Sequence, residues 1–351
     1  MTPPKEKFTL PETAFPEAII HYEEPKETAL EMIRSQRDPE MVKRVDEQIN
    51  QEQFVEIDDQ SGSHLKLETR FLNPLPDAEQ QKTPIALIAG WGCSYRNIRG
   101  LARSLAFEGE RPVIMLSLPG TGNSDDPPES WLHEKNFSRQ ADVARKAIEQ
   151  VMEKQGITEN NIALLGHSMG GMIAAQVAKN HPDFVRDLAL VHSAGVRTEK
   201  PIDLVSRFLA NAGYEALYRV RKYFESGMNP EWFRQLEKHH RFGAKIAENL
   251  WGNKRFRLHF GQEIEALAAG GLKDTLQDFR GNLLVVSGSG EKLFPENEAP
   301  ETAASAPHAK SRIVSIQHEG KHTDPAIWHE MYGINIAHYL DEFEKHETSR
   351  Q

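Results

Sequence analysis

The sequence predicts an α/β fold, with a mostly parallel, doubly wound sheet and helices between its strands. Short, continuous apolar runs recur along the chain, and most are bounded by glycine, proline or polar residues. These runs are Ile85–Ala89, Val113–Leu118, Ile162–Leu165, Leu188–Val191, Leu283–Val286 and Ile313–Ile316. Runs of this kind are typical of strands buried on both faces of a parallel sheet. Helical patterns lie between several of them, at Asn97–Phe107, Arg139–Gln155 and Gly170–Asn180. This alternation of strand and helix favours the doubly wound class.

An antiparallel hairpin is predicted before the parallel strands. Residues Gln53–Asp58 and His64–Asn73 alternate between apolar and polar side chains, and the four residues between them have the composition of a turn. Upstream, the apolar spacing in Glu27–Asn50 predicts one or two amphipathic helices, which Pro39 interrupts. Residues 1–26 carry several prolines and charges, and we expect them to form an extended arm.

One interval departs from the alternating pattern. About 85 residues separate the strand ending near Val191 from the strand starting near Leu283, far more than a simple αβ connection needs. The interval is helix-like, charged and rich in aromatic residues. Those residues are Tyr214, Tyr218, Tyr223, Phe224, Trp232, Phe233, Trp251, Phe256 and Phe260. We therefore predict a helical insertion at residues 196–280, a core at residues 52–195 and 281–351, and a partly helical N-terminal extension at residues 1–51.

Composition and charge disfavour several classes of protein. A formal net charge of −10 leaves no dominant basic face to neutralise phosphates, so we expect no nucleic-acid partner. No apolar run approaches the roughly 18–20 residues of a membrane span, and no apolar signal core follows the N-terminus. The single cysteine, Cys93, permits no internal disulfide, which fits a reducing compartment. We expect a soluble, cytoplasmic protein.

One five-residue pattern indicates the chemistry. Residues 166–170 read Gly-His-Ser-Met-Gly, a G-x-S-x-G pattern centred on Ser168. A predicted strand precedes it and a predicted helix, Met172–Asn180, follows it, which is the context of a nucleophile elbow. A strand that turns abruptly into a helix holds its serine in a strained conformation, and the glycines avoid collisions there. The serine oxygen then stands above the sheet, near a helix N-terminus that favours developing negative charge.

With this elbow, the sequence resembles the α/β-hydrolase superfamily, of the kind that carries a helical cap, over roughly residues 52–345. Three further segments share in the resemblance. Ala89-Gly90-Trp91-Gly92 follows the third core strand, where the family usually has His-Gly. Residues 118–124, Leu-Pro-Gly-Thr-Gly-Asn-Ser, resemble the family's D-x-P-G-x-G-x-S turn, with Leu118 where aspartate is common. His181–Val185 leads into a strand, as the corresponding segment often does in this family.

A serine nucleophile needs a base, and the base is oriented by an acid. In this superfamily the chain order is Ser, then Asp or Glu, then His. The resemblance implies that Glu291 is the acid, because residues 287–295 are similar to the family's G-x-x-D-x-x-x-P loop. It implies that His322, which follows Gly320 after the last strand, is the base, because a neutral imidazole can take and return the serine proton. The alternatives are His318 for the base and Asp324, Asp274, Asp278, Glu199 or Asp203 for the acid.

The resemblance also implies the rest of the site. The backbone N–H groups of Met169 and Trp91 are expected to form the oxyanion hole, and Gly90 and His167 to contact substrate. No metal or organic cofactor is expected. The expected function is that of a serine esterase, which cleaves an ester-type bond of a small or medium, partly apolar substrate through an acyl-enzyme. Amidase, peptidase or carbon–carbon bond hydrolase activity on the same triad stays open, as does homodimer formation.

Two other classes of protein are alternatives. Residues 318–322 spell H-E-x-x-H, the zinc metalloprotease motif, which needs both histidines on one helix face. Here the segment follows a strand, contains Gly320 and runs into Asp324-Pro325, which disfavours a helix. A non-catalytic member of the fold is the second alternative. The presence of a serine, an acid and a histidine candidate argues against it.

Overall fold

The computed structural model of the protein describes most of the chain. The described residues are 17–22, 27–75, 82–133, 136–195, 197–230, 232, 234, 237, 240, 241, 244, 254–294, 298–327 and 329–348. Parts of the predicted N-terminal arm and of the predicted insertion, including Phe233 and Trp251, lie outside these residues, as does Pro295 of the acid loop.

Within the described residues, nine strands form a single sheet in the order β1-β9-β8-β7-β6-β4-β5-β3-β2. The strands are β1 (Glu17–Tyr22), β2 (Gln53–Asp58), β3 (His64–Leu72), β4 (Ile85–Ile88), β5 (Val113–Leu116), β6 (Ile162–His167), β7 (Val185–Val191), β8 (Asn282–Gly288) and β9 (Ser311–Gln317). Strand β3 pairs antiparallel with both β2 and β5, and the other neighbours pair in parallel. The predicted fold class and the predicted hairpin are confirmed.

Helices cover both faces of this sheet. They are α1 (Glu27–Gln36), α2 (Pro39–Asn50), α3 (Tyr95–Gly109), α4 (Ser138–Lys154), α5 (Met169–Asn180), α6 (Pro201–Glu225), α7 (Lys254–Ala268), α8 (Leu272–Leu276), α9 (Glu298–Ala304), α10 (Asp324–Ile327) and α11 (His329–Thr348), with a 3₁₀ turn at Glu129–His133. Strand β6 shows the two-sided burial. Its Ile162 and Leu164 share a core with α4 and α5, whereas Ala163 and Leu165 share a core with α3 and α11. Alternate side chains of one strand therefore bury opposite faces.

The direction in which the chain crosses the sheet reverses between β4 and β6. Strand β4 leads to β5 on one side, whereas β6, its neighbour on the other side, leads on to β7, β8 and β9. In open α/β sheets, ligand sites form at such a reversal, beyond the carboxyl ends of the strands. The loops that follow β4 and β6 meet there.

Part of the predicted N-terminal arm belongs to the sheet. Residues 17–22 form β1, which pairs in parallel with β9 at the edge of the sheet, and Tyr22 is buried. The predicted helical region is confirmed, with its break at Pro39, which is the first residue of α2. The Asp38 side chain caps this helix by accepting a hydrogen bond from the Glu40 N–H.

Helix α6, in the segment predicted as an insertion, has an inverted amphipathic pattern. Its buried residues include the charged Glu215 and Arg219. Its exposed residues include four large apolar side chains spaced seven or eight positions apart, so that they follow one face. These are Ile202, Leu209, Leu217 and Phe224. Among the described helices, none combines the length and the hydropathy that crossing a bilayer requires.

Close packing of β6 against α5 leaves no room for a side chain at Gly166. A methyl group added there would lie 2.2 Å from the carbonyl oxygen of Gly170, so α5 would have to move. We expect Gly166→Ala to lower the free energy of unfolding by about 1–3 kcal/mol, measured by urea denaturation.

The matched control is Gly213→Ala in α6, where an added methyl group meets no atom within 4 Å. We expect this variant to raise the free energy of unfolding by about 0.4–1 kcal/mol. Equal effects of the two substitutions would contradict the packing argument.

Candidate active site

Ser168 lies at the sharp bend between β6 and α5. Its backbone has φ 55° and ψ −123°, a conformation that a residue with a side chain rarely adopts. Its N–H donates to the Val191 carbonyl of the neighbouring strand at 3.0 Å, which helps to hold the bend. Strain of this kind persists only where the surrounding structure enforces it, and it is common at functional sites. Ser168 thus has the backbone geometry expected of an elbow.

The structure brings the predicted serine, histidine and acid together. The His322 Nε2 lies 3.0 Å from the Ser168 Oγ, and the His322 Nδ1 lies 3.1 Å from the Glu291 Oε2. The three residues are only 8%, 5% and 4% exposed, respectively. They come from the loops after β6, β9 and β8, which end at the same edge of the sheet. Proton transfer from Ser168 to His322, with Glu291 orienting the ring and stabilising its cation, is therefore geometrically possible.

The alternative residues have other environments. Asp324 is buried nearby, but it accepts from the Arg219 guanidinium at 3.0 Å and from the Lys321 N–H at 2.8 Å rather than from a histidine. Glu199 pairs with Arg207. The remaining acid candidates, Asp203, Asp274 and Asp278, and the histidine candidate, His318, are exposed.

The charges of this group stabilise one another. Burial alone would raise the pKa of Glu291, but the positive charge available on His322 and hydrogen bonds from His192 and His322 hold it well below its usual range. Burial alone would lower the pKa of His322, but the Glu291 carboxylate outweighs it, with help from Glu215 and Asp324, and the pKa is raised. Glu291 is therefore ionised at neutral pH, and its charge stabilises the imidazolium form of His322.

The predicted oxyanion-hole residues flank Ser168. Met169 is the first residue of α5, where backbone N–H groups have no partner within the helix. A methyl group added at Gly90 would lie 3.0 Å from the Ser168 Cβ, so the loop that carries Trp91 runs directly beside the serine. The Trp91 side chain packs against Phe208 of α6 and Phe260 of α7, with ring centroids 5.3 and 3.9 Å away. Trp91 thus joins the core to α6 and α7.

His167 contacts the histidine loop. Its Nε2 lies 2.9 Å from the His322 carbonyl oxygen. Burial, together with the positive charge available on His322, lowers the pKa of His167 to about 3. The ring is therefore neutral, and it donates this hydrogen bond through Nε2–H. His167, which we predicted to bind substrate, supports the backbone of His322.

Two charged residues of α6 hold the loop that carries His322, and the sequence analysis did not identify them. The Arg219 guanidinium donates to the Thr323 Oγ1 at 2.8 Å and to Asp324 at 3.0 Å, and it pairs with Glu215 at 3.1 Å. Glu215 also accepts from the Thr323 hydroxyl. Glu215 and Arg219 are fully buried, so breaking this network would leave an uncompensated charge, which typically costs about 3–5 kcal/mol.

A small cavity of about 30 Å³ lies beside the serine loop. Core residues Gly90 and Met169 line one side, and His259 and Glu263 of α7 line the other. Burial raises the pKa of Glu263 to about 7, and the Trp91 indole N–H opposes this shift. Helix α7 thus places a polar group in the cavity that Gly90 and Met169 also line.

Other chemistries fit this site less well. Burial raises the pKa of the Cys93 thiol to about 12, so it is not a thiolate nucleophile at neutral pH. The H-E-x-x-H segment is not helical, because it begins in the turn directly after β9 and Glu319 has a φ of 51°. His192 lies with Glu291 and His322 in a cluster whose potential ligand atoms are within 4.8 Å. Hydrogen bonds of 2.7 and 3.1 Å to Glu291 account for that spacing.

Comparison with known proteins identifies the class. Residues 83–325 match the family model of the α/β hydrolase fold, and the chain belongs to this family. Two solved esterases share the fold with a TM-score of 0.58 each. One, from Thermogutta terrifontis, is 19% identical and aligns over 83% of this chain and 99% of its own. The other, from Exiguobacterium antarcticum, is 16% identical and aligns over 82% of this chain and 100% of its own.

Curated relatives add hydrolases and an acyltransferase. A 1-acylglycerol-3-phosphate O-acyltransferase of Arabidopsis thaliana is 30% identical over 142 residues, 38% of this chain and 30% of that protein. Lipase 1 of Psychrobacter immobilis is 32% identical over 112 residues, 32% of each chain. A protein assigned as the carbamate hydrolase RutD, from Azorhizobium caulinodans, is 26% identical over 75% of this chain and 93% of its own. The chain spans about a third of the first curated relatives it matches.

The assignment of the acid is testable by two amide substitutions. Glu291→Gln keeps the size of the side chain but removes the charge that stabilises the His322 imidazolium. We expect the kcat for a chromogenic ester to fall by about 10³–10⁴-fold, as it does when other triad acids become amides. Asp324→Asn is the matched control, for which we expect a loss of less than about tenfold. A loss for Asp324→Asn greater than the loss for Glu291→Gln would contradict the assignment of Glu291 as the acid.

Proposed function

We propose that the protein is a serine hydrolase that cleaves ester bonds of small or medium, partly apolar substrates through an acyl-enzyme. The observation that carries this proposal is the hydrogen-bonded series from the Ser168 Oγ through His322 to Glu291, with distances of 3.0 and 3.1 Å. Such a series allows a serine to lose its proton as it attacks a carbonyl carbon.

The mechanism follows from these positions. Neutral His322 takes the Ser168 proton on Nε2 as the serine oxygen attacks the ester carbonyl, and the carbonyl electron pair moves to its oxygen. The N–H groups of Met169 and Trp91 bind this oxyanion, and each such donor typically lowers the barrier by about 3 kcal/mol. The intermediate collapses, and the imidazolium of His322 protonates the departing alcohol. Water, deprotonated by His322, then releases the acid and restores Ser168.

The environment of Ser168 favours a partly apolar substrate. Trp91, Phe208 and Phe260 form an aromatic group where the core meets α6 and α7. Aromatic side chains in such a position supply apolar contact area for an acyl or alcohol group. The same triad geometry also serves amidases, peptidases and carbon–carbon bond hydrolases, and those are the alternatives that a substrate panel must separate.

A fluorophosphonate probe tests the proposed nucleophile. We expect the probe to label the wild-type protein at Ser168 and not to label Ser168→Ala, whose ester hydrolysis falls by about 10⁶-fold because the nucleophile is lost. Peptide mass spectrometry locates the label, and chromogenic esters of graded acyl length define the substrate. Labelling at another residue, or turnover of amides but not of esters, would contradict the proposal.

Hydrolysis of esters at a lipid surface is a second candidate. Leu217 and Phe224 of α6 are 72% and 65% exposed, on the apolar face described above. Exposed apolar area of this kind indicates an interaction site, and an amphipathic helix can bury such a face at the boundary of a lipid phase.

Substitution of that face separates the two candidates. If the substrate is aggregated lipid, Leu217→Asp with Phe224→Asp removes the apolar face and weakens adsorption, so activity on emulsified triacylglycerol falls by about tenfold or more. Activity on a soluble short-chain ester serves as the internal control and stays unchanged. If neither activity falls, the lipid-surface candidate is wrong, and only the soluble-ester function remains.

A further inference from the structure

A second histidine contacts Glu291, the proposed triad acid. His192 follows β7 directly and is fully buried. Its Nδ1 lies 2.7 Å from the Glu291 Oε2, the same oxygen that His322 contacts at 3.1 Å. We propose that His192 is a positioning residue that fixes the Glu291 carboxylate and shares its charge. This inference rests on the proposed serine hydrolase function.

The bonding of Glu291 explains why such a residue is needed. A glutamate has one more rotatable bond than an aspartate, so more contacts are required to hold its carboxylate in one orientation. The Oε1 accepts from the backbone N–H groups of Leu293 and Phe294, at 2.7 and 3.2 Å. Within the part of the chain that the structure describes, the Oε2 bonds only to the two histidines, and the shorter contact is the one to His192. His192 therefore fixes the oxygen that faces His322.

His192 is itself held in one orientation. Its Nε2 lies 2.7 Å from the hydroxyl oxygen of Tyr332 in α11. Because ionised Glu291 can only accept, the Nδ1 of His192 carries a proton and donates it, which leaves Nε2 for the contact with the Tyr332 hydroxyl. Its backbone has a φ of 46°, and its N–H donates to the Val286 carbonyl at 2.8 Å. A non-glycine residue in this conformation is held there by its surroundings.

Sharing of the carboxylate charge has a consequence for the pH dependence. Hydrogen bonds to an ionised carboxylate stabilise its charge and weaken its pull on a neighbouring cation. Without the His192 N–H, Glu291 attracts the imidazolium form of His322 more strongly, so the pKa of His322 rises. Among the described residues, the other charged or titratable groups around His322 are His167, Glu215, Arg219, Lys321 and Asp324. These groups are unchanged by a substitution at His192.

Two amide substitutions separate the roles of the two ring nitrogens. His192→Asn places an amide N–H near the position of Nδ1, which keeps the donor to Glu291 but loses Tyr332. His192→Gln places its amide near the position of Nε2, which keeps Tyr332 but loses the donor to Glu291. Asparagine also tolerates the positive φ at this position. Tyr332→Phe removes the hydroxyl contact alone and is the control for its loss.

The pH profile of ester hydrolysis is the first readout. His322 must be neutral to act as the base, so a higher pKa moves the acid limb of kcat/KM to higher pH. We expect this shift in His192→Gln, by about 0.5–1 unit, together with a roughly tenfold lower kcat and an unchanged KM. His192→Asn is expected to retain the wild-type limb and most of the kcat. Rates are scaled to the fraction of protein that a fluorophosphonate probe labels.

A second readout does not require turnover. The Nδ1–H of His322, hydrogen-bonded to Glu291, is expected to give a far-downfield proton NMR signal. That signal should shift in His192→Gln and stay near its wild-type position in His192→Asn and Tyr332→Phe. If the two amide variants agree in both readouts, the positioning role of His192 is wrong. If the wild-type protein hydrolyses no ester, the proposed function has failed, and the NMR comparison still decides whether His192 holds Glu291.

Discussion

One buried carboxylate constrains the whole site. Glu291 is 4% exposed and its pKa lies below the usual range, so a negative charge is held away from water. Such a charge is costly unless it is paired and fully hydrogen-bonded. Two backbone N–H groups and two histidines supply those bonds. The loops after β7, β8 and β9 meet around this carboxylate, and each contributes a group that binds or carries it. The position of His322 relative to Ser168 is one result of that convergence.

Helix α6 contacts the same group of residues. Its buried face carries Glu215 and Arg219, which hold Thr323 and Asp324, the two residues directly after His322. Burial of a charged pair stabilises little by itself, because desolvation offsets the attraction between the charges. Removing one partner of the pair is costly, however, because the other charge is left buried without compensation. Helix α6 and the loop that carries His322 therefore hold each other in place. Helix α7 thus lines the candidate site, and α6 supports the loop that carries His322.

The sequence pattern predicts those parts of the molecule that depend on local chemistry. The buried strands appear as apolar runs, the elbow as G-x-S-x-G, and Glu291 and His322 as loop motifs shared with a known family. Strand β1 has no comparable signal, because its pairing with β9 joins segments almost 300 residues apart. His192 is a lone histidine after a strand, and only the fold brings it to Glu291. Glu215 and Arg219, four residues apart, resemble an exposed helix pair, since charged residues are rarely buried.

The central claim is that Ser168, His322 and the N–H groups of Met169 and Trp91 act on one carbonyl. The most direct measurement is a crystal structure of the protein after reaction with a phosphonate ester, whose adduct mimics the tetrahedral intermediate. We expect phosphorus bonded to the Ser168 Oγ and a phosphoryl oxygen within about 2.7–3.1 Å of both N–H groups. An adduct on another residue, or a phosphoryl oxygen directed away from Met169 and Trp91, would contradict it.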